Sequence, residues 1–141
     1  MGDVFDYLSP TNPVFRTFAF WSSVLVIKVL FMSIATGLRK HTSKAPKAKN
    51  EVNEDVERLR RAHLNDMENI FLFIILGFIY IVTNPSQWLA MMLIKAFAIT
   101  RILHTLVYAF APVPQPTRVI LFLMGVAVNA YMGLSVIRAF L

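Results

Sequence analysis

An all-α fold, an integral membrane bundle of four helices forming one domain over residues 1–141, is what this sequence predicts. Three observations carry that reading. The chain is 57% hydrophobic and only 16% charged, more apolar and less charged than ordinary soluble domains. Its apolar residues stand in long blocks, the pattern of segments solvated by lipid. All seven prolines fall between those blocks, where they end helices and do not break them.

The first helix is expected at about 14–38, with Asn12-Pro13 supplying a cap and a first-turn proline. The amino-terminal stretch holds Asp3 and Asp6 where a cleavable signal would be basic, so this helix reads as a retained anchor. A basic loop follows at about 39–56. The second helix, about 57–83, has a charge-rich first half and an apolar run from Leu72 to Val82. That run is shorter than the roughly 20 residues that cross a hydrocarbon core, so the polar half must dip inward behind other helices. Asn84-Pro85-Ser86 makes a turn, with Ser86 as N-cap. The third helix is expected at about 87–110. Ala111 to Pro116 holds three prolines and reads as non-helical. The fourth helix is expected at about 117–140.

The formal net charge is +6. In a membrane chain this excess concerns orientation and lipid headgroups, and nucleic acid is not an expected partner. Arg39, Lys40, Lys44, Lys47, Lys49, Arg58, Arg60 and Arg61 are eight of the fourteen basic residues. The first loop is therefore expected in the cytosol, with both termini across the membrane. Cysteine is absent, which excludes disulfides, thiolate metal sites and a cysteine nucleophile.

Polar side chains inside spans mark function or helix pairing. Arg61, Asn65 and Glu68 share one face of the second helix, with Arg60 and His63 on a neighbouring face. Arg101, His104 and Tyr108 share a face of the third helix. Pairing of Glu68 with Arg101 or Lys28, and of Asp66 with a basic neighbour, is expected to neutralise part of this charge. Lys95 snorkels or faces another subunit. Arg60, Arg61, His63, Arg101, His104 and Arg118 are set against only Asp66 and Glu68 in this count, so an external anion is expected. Guanidinium forks suit a carboxylate ligand. His63, Glu68 and His104 have no metal-box spacing and sit among arginines, so no metal is expected.

The run Val56-Glu-Arg-Leu-Arg60-Arg61-Ala-His63-Leu-Asn65-Asp66-Met-Glu68-Asn-Ile70 resembles the second-helix signature of the membrane-associated eicosanoid and glutathione (MAPEG) family. Arg101-Ile-Leu-His104-Thr-Leu-Val-Tyr108 resembles its third-helix motif. Pro112-Val-Pro-Gln-Pro116-Thr-Arg118 resembles the turn into the fourth helix of the type-one microsomal glutathione transferase branch. The resemblance implies a homotrimer of four-helix subunits that binds glutathione between neighbours. It implies glutathione contacts from Arg60, Arg61, His63, Asn65, Glu68, His104 and Tyr108, with Arg118 as the catalytic residue near the sulfur. A basic residue at the end of the first helix is also implied, and Arg39 and Lys40 both stand there. The family's acidic stretch in the following loop has no counterpart here, so an acidic partner from that loop cannot be placed.

The implied activity is conjugation of glutathione thiolate, with glutathione as co-substrate, to hydrophobic electrophiles, together with glutathione peroxidase action on lipid hydroperoxides. A free thiol has a pKa of roughly 8.5, so a nearby cation is needed to hold the thiolate. The hydrophobic substrate would arrive through the phospholipid bilayer along the fourth helix, past residues such as Phe122. The implied location is the endoplasmic reticulum membrane, with the mitochondrial outer membrane as a second site. Two other readings stand beside this one: a prostaglandin E synthase-type isomerase, which Val119 and Leu64 disfavour, and a non-enzymatic lipid-binding or adaptor protein.

Overall fold

The computed structural model describes residues 4–42, 53–110 and 115–141. Pro46 and the middle of the basic loop, with Pro112 and Pro114, lie outside the described residues. A short helix α1 (Val4–Tyr7) precedes four long ones: α2 (Pro13–Thr42), α3 (Glu54–Val82), α4 (Gln87–Thr105) and α5 (Gln115–Phe140). A π-helical turn, Leu106–Phe110, continues α4. All four long helices are long and apolar enough to cross a membrane.

The ends of these helices follow local chemistry. Asn12 Oδ1 accepts from the backbone N–H groups of Val14 and Phe15 at 2.9 and 3.1 Å, and Asn53 Oδ1 accepts from those of Asp55 and Val56 at 3.1 Å. Each satisfies two of the orphan donors of a helix start. Ser86 occupies the cap position of α4, but its side chain makes no capping bond. Asn84 turns the chain with a φ of 52°, a left-handed conformation that asparagine tolerates better than most residues.

The helix ends fall within a few residues of the expected positions. α2 continues to Thr42 and α3 begins at Glu54, narrowing the first connection from both sides. The third helix runs from Gln87 to Phe110, its last five residues in a π-turn. Gln115 and Pro116 belong to α5. Proline is tolerated there because the first turn's N–H groups have no helical acceptor.

α2 packs on α3 and α4, and α5 packs on the same two helices. Phe73 of α3 stacks on Phe97 of α4 with ring centroids 4.1 Å apart and planes 5° from parallel. Phe18 of α2 lies 5.8 Å from Phe73. Gly77 makes room for that ring, since a Cβ there would sit 2.6 Å from Phe18 Cε2. Around this core the outer faces remain apolar: Phe20, Ile27, Leu30 and Ile34 of α2 and Ile120, Leu123, Leu134 and Ile137 of α5 are exposed. A surface of that kind fits lipid.

Candidate functional site

Two polar assemblies meet between the first half of α3 and the end of α4. The first is enclosed. Asp66 and Arg101 are fully buried. Asp66 Oδ2 lies 2.9 Å from Lys28 Nζ, and Asp66 Oδ1 lies 3.0 Å from Arg101 Nη2. Thr105 donates its hydroxyl to Asp66 Oδ2 at 2.6 Å and accepts from Lys28 Nζ at 2.8 Å. Lys28 also donates to the Arg101 carbonyl at 2.9 Å. One carboxylate thus ties α2, α3 and α4 together and answers two cations. The sequence reading misassigned one pairing: Glu68 binds neither Arg101 nor Lys28, because Asp66 receives both. Thr105 was missed, although its i+4 spacing from Arg101 places it on the same face.

The second assembly is an open groove of about 420 Å³ between α3, the end of α4 and α5, lined among others by Arg61, Asn65, Glu68, His104, Tyr108 and Arg118. Six of the candidate residues are therefore gathered by three separate segments. The enclosed network reaches into this wall. Arg101 Nη2 donates to Asn65 Oδ1 and lies 3.5 Å from His104 Nδ1. His104 stacks on Tyr108 at 5.7 Å. The Arg118 guanidinium lies over the Tyr108 ring, 5.2 Å from its centroid, within reach of a cation–π attraction. Tyr108 sits in the π-turn, whose wider ring re-aims side chains relative to the preceding α-helix.

Among the described residues Arg118 forms no ion pair with a carboxylate, and its Nε is buried without a hydrogen-bond partner. Glu68 likewise forms no ion pair among them and is exposed. The groove therefore offers a guanidinium and a carboxylate that are not consumed by one another. Leu64, Val119 and Phe122 give it an apolar side toward the outer face of α5.

The remaining candidates lie elsewhere. Arg60 turns to Glu57, donating from Nε and Nη2 at 2.8 Å each, and does not line the groove. Arg61 Nε also reaches Glu57, at 2.9 Å. Glu57 was left out of the sequence-based charge count, so the cation surplus is smaller than that count implied. His63 is half-buried off the groove, with Nδ1 unpartnered among the described residues. Lys40 is exposed near the end of α2. Arg39 lines a separate groove with Asp55 and Arg58. Asp55 binds Arg39 at 3.0 Å and Arg58 at 2.7 Å. Asp55 stands in the first turn of α3.

With this geometry in place, comparison with known proteins adds an independent line. The MAPEG family model matches residues 18–138, a span that contains both assemblies. The chain is 34% identical over 143 residues to microsomal glutathione S-transferase 1 of Mus musculus, covering 91% of this chain and 92% of that one. The Homo sapiens protein of the same name is also 34% identical, with the same coverage. Prostaglandin E synthase of Homo sapiens is 32% identical over 138 residues, 90% of each chain.

Proposed function

The chain belongs to the MAPEG family, and from that premise we propose that it is a membrane-bound glutathione transferase acting on hydrophobic electrophiles. The observation that carries this reading is Arg118: a guanidinium held over Tyr108 at the groove, with no carboxylate in ion-pair contact among the described residues. Such a cation stabilises an anion that reacts beside it. The chemistry of glutathione is complementary to the rest of the wall. Its ammonium suits Glu68, its carboxylates suit Arg61, and its amide groups suit Asn65, while the thiolate sits by Arg118.

Binding releases the thiol proton to water, and conjugation then needs no further acid or base. The thiolate sulfur bonds to an electrophilic carbon, and the leaving group departs with the electron pair of the broken bond. With a lipid hydroperoxide the thiolate attacks the outer oxygen. The O–O bond breaks, the alkoxide takes a proton to become an alcohol, and a second glutathione converts the sulfenic acid to the disulfide and water. The hydrophobic substrate enters from lipid along Val119 and Phe122.

We extend the proposal to the assembly. In a homotrimer the groove of Arg39 and Asp55 would supply the neighbour's half of the glutathione site, together with Lys40, Arg60 and His63. The basic first connection faces the cytosol in this scheme, and the membrane is that of the endoplasmic reticulum. Prostaglandin E synthase is also a relative, which keeps an isomerase as the second reading. Leu64 and Val119 both line the groove and leave its substrate side apolar, which favours the transferase.

The test uses the full chain purified in detergent with glutathione and 1-chloro-2,4-dinitrobenzene. Thiolate absorbance on binding, followed by conjugate formation, is the expected result. Thiolate formation without conjugation or peroxide reduction would favour the isomerase, and absence of binding would overturn the reading.

A further inference from the structure

The far end of the bundle carries a feature that the glutathione chemistry does not use. α2 and α4 both start there, and a groove of about 750 Å³ opens between them, lined among others by Pro13, Arg16, Phe20, Trp21, Met91 and Lys95. Arg16 is three residues into α2, whereas Lys95 is eight residues beyond Gln87. At 1.5 Å per residue, Lys95 is displaced about 12 Å from the start of α4. It is a cation on an otherwise apolar stretch at membrane depth.

Neither cation has an ion-pair partner among the described residues, and both are exposed. Asp6, on the neighbouring α1, binds neither of them. An unpaired charge in lipid is unfavourable, and two lining one groove call for an anion. The rest of the wall is apolar, with Phe20 set edge-on to Trp21 at 5.4 Å and Met91 beside them. A small free anion would leave that wall without contact. An anion that carries its own hydrocarbon satisfies both halves.

We propose that this groove is a binding site for one anionic phospholipid, its phosphate held by Arg16 and Lys95 and an acyl chain lying over Phe20, Trp21 and Met91. The site is at the opposite end of the bundle from the Arg118 groove, so it serves the other leaflet and is independent of the glutathione reading.

Trp21 is a built-in reporter, since the chain has two tryptophans and the second, Trp88, is 72% exposed on the first turn of α4. Trp88→Phe protein is reconstituted in vesicles containing either brominated phosphatidylglycerol or brominated phosphatidylcholine, and quenching of Trp21 is measured. Each basic group beside an anionic headgroup multiplies its association by about fivefold, so the pair gives a preference of roughly 25-fold for phosphatidylglycerol. Arg16→Gln and Lys95→Gln each remove about one fivefold factor, and the double variant removes the preference. Equal quenching of Trp21 by the two lipids overturns the proposal, as does a preference that survives in the double variant. Protection of Trp21 from both lipids also overturns it, because a second copy of the chain then covers the groove.

Discussion

The Asp66 network and the Arg118 groove use the same kinds of side chain for opposite ends. In the network one carboxylate on α3 engages Lys28 of α2 and Arg101 and Thr105 of α4, with Asp66 and Arg101 fully buried. In the groove Arg118 of α5 and Glu68 of α3 both line the space without pairing with one another, and the space is open. Burial decides the difference. An enclosed charge must find its partner within the fold, whereas a charge at an open groove can wait for a ligand. Arg101 joins the two regions, because the Nη2 that binds Asp66 also reaches Asn65 in the groove wall.

The sharpest way to break this contrast is Asp66→Ala. It leaves Lys28 and Arg101 buried without their carboxylate, and removing one partner of a buried pair typically costs about 3–5 kcal/mol. Unfolding of the detergent-solubilised protein should show a loss of that order, and an unchanged midpoint would remove the network from any structural role. Arg118→Ala comes next. The fold should be retained while kcat for conjugation falls on the order of 100-fold, as when a charge-stabilising donor is deleted, with glutathione affinity largely kept. Equal loss of both would make Arg118 a binding residue. Glu68→Gln should weaken glutathione binding by about tenfold through a lost charged hydrogen bond, read by titration, with no change in thermal stability. Smallest is Glu57→Gln. Its pairs with Arg60 and Arg61 are solvent-exposed, so the unfolding midpoint should not move measurably. A clear drop there would place Glu57 with Asp66 and blur the division between the two regions.

The charged residues show where sequence reasoning reached its limit. Helical spacing placed Arg61, Asn65 and Glu68 on one face, and the separate spacing of His104 and Tyr108 placed those two together. Spacing carried no information on which carboxylate would enter the core. Asp66 and Glu68 are two residues apart and thus on different faces, yet either could have met Arg101 until the helices were packed. Glu57 lies three and four residues before Arg60 and Arg61, a local i+3/i+4 signal for these pairs that the count of charges at membrane depth did not include. Asp55 as the partner of Arg39 was out of reach, because that bond joins the last turn of α2 to the first turn of α3.

By itself the sequence determined the number of long helices, their apolar length and the spacing of polar residues along each, since these depend on composition and on a fixed helical period. Its motifs also carried the family. Only the tertiary structure decided how the charges divide, with Asp66 enclosed and Arg118 left over a tyrosine at an open groove. Electrostatic partnership depends on distances between helices and on the exclusion of water, and neither quantity exists until α2, α3, α4 and α5 are packed against one another.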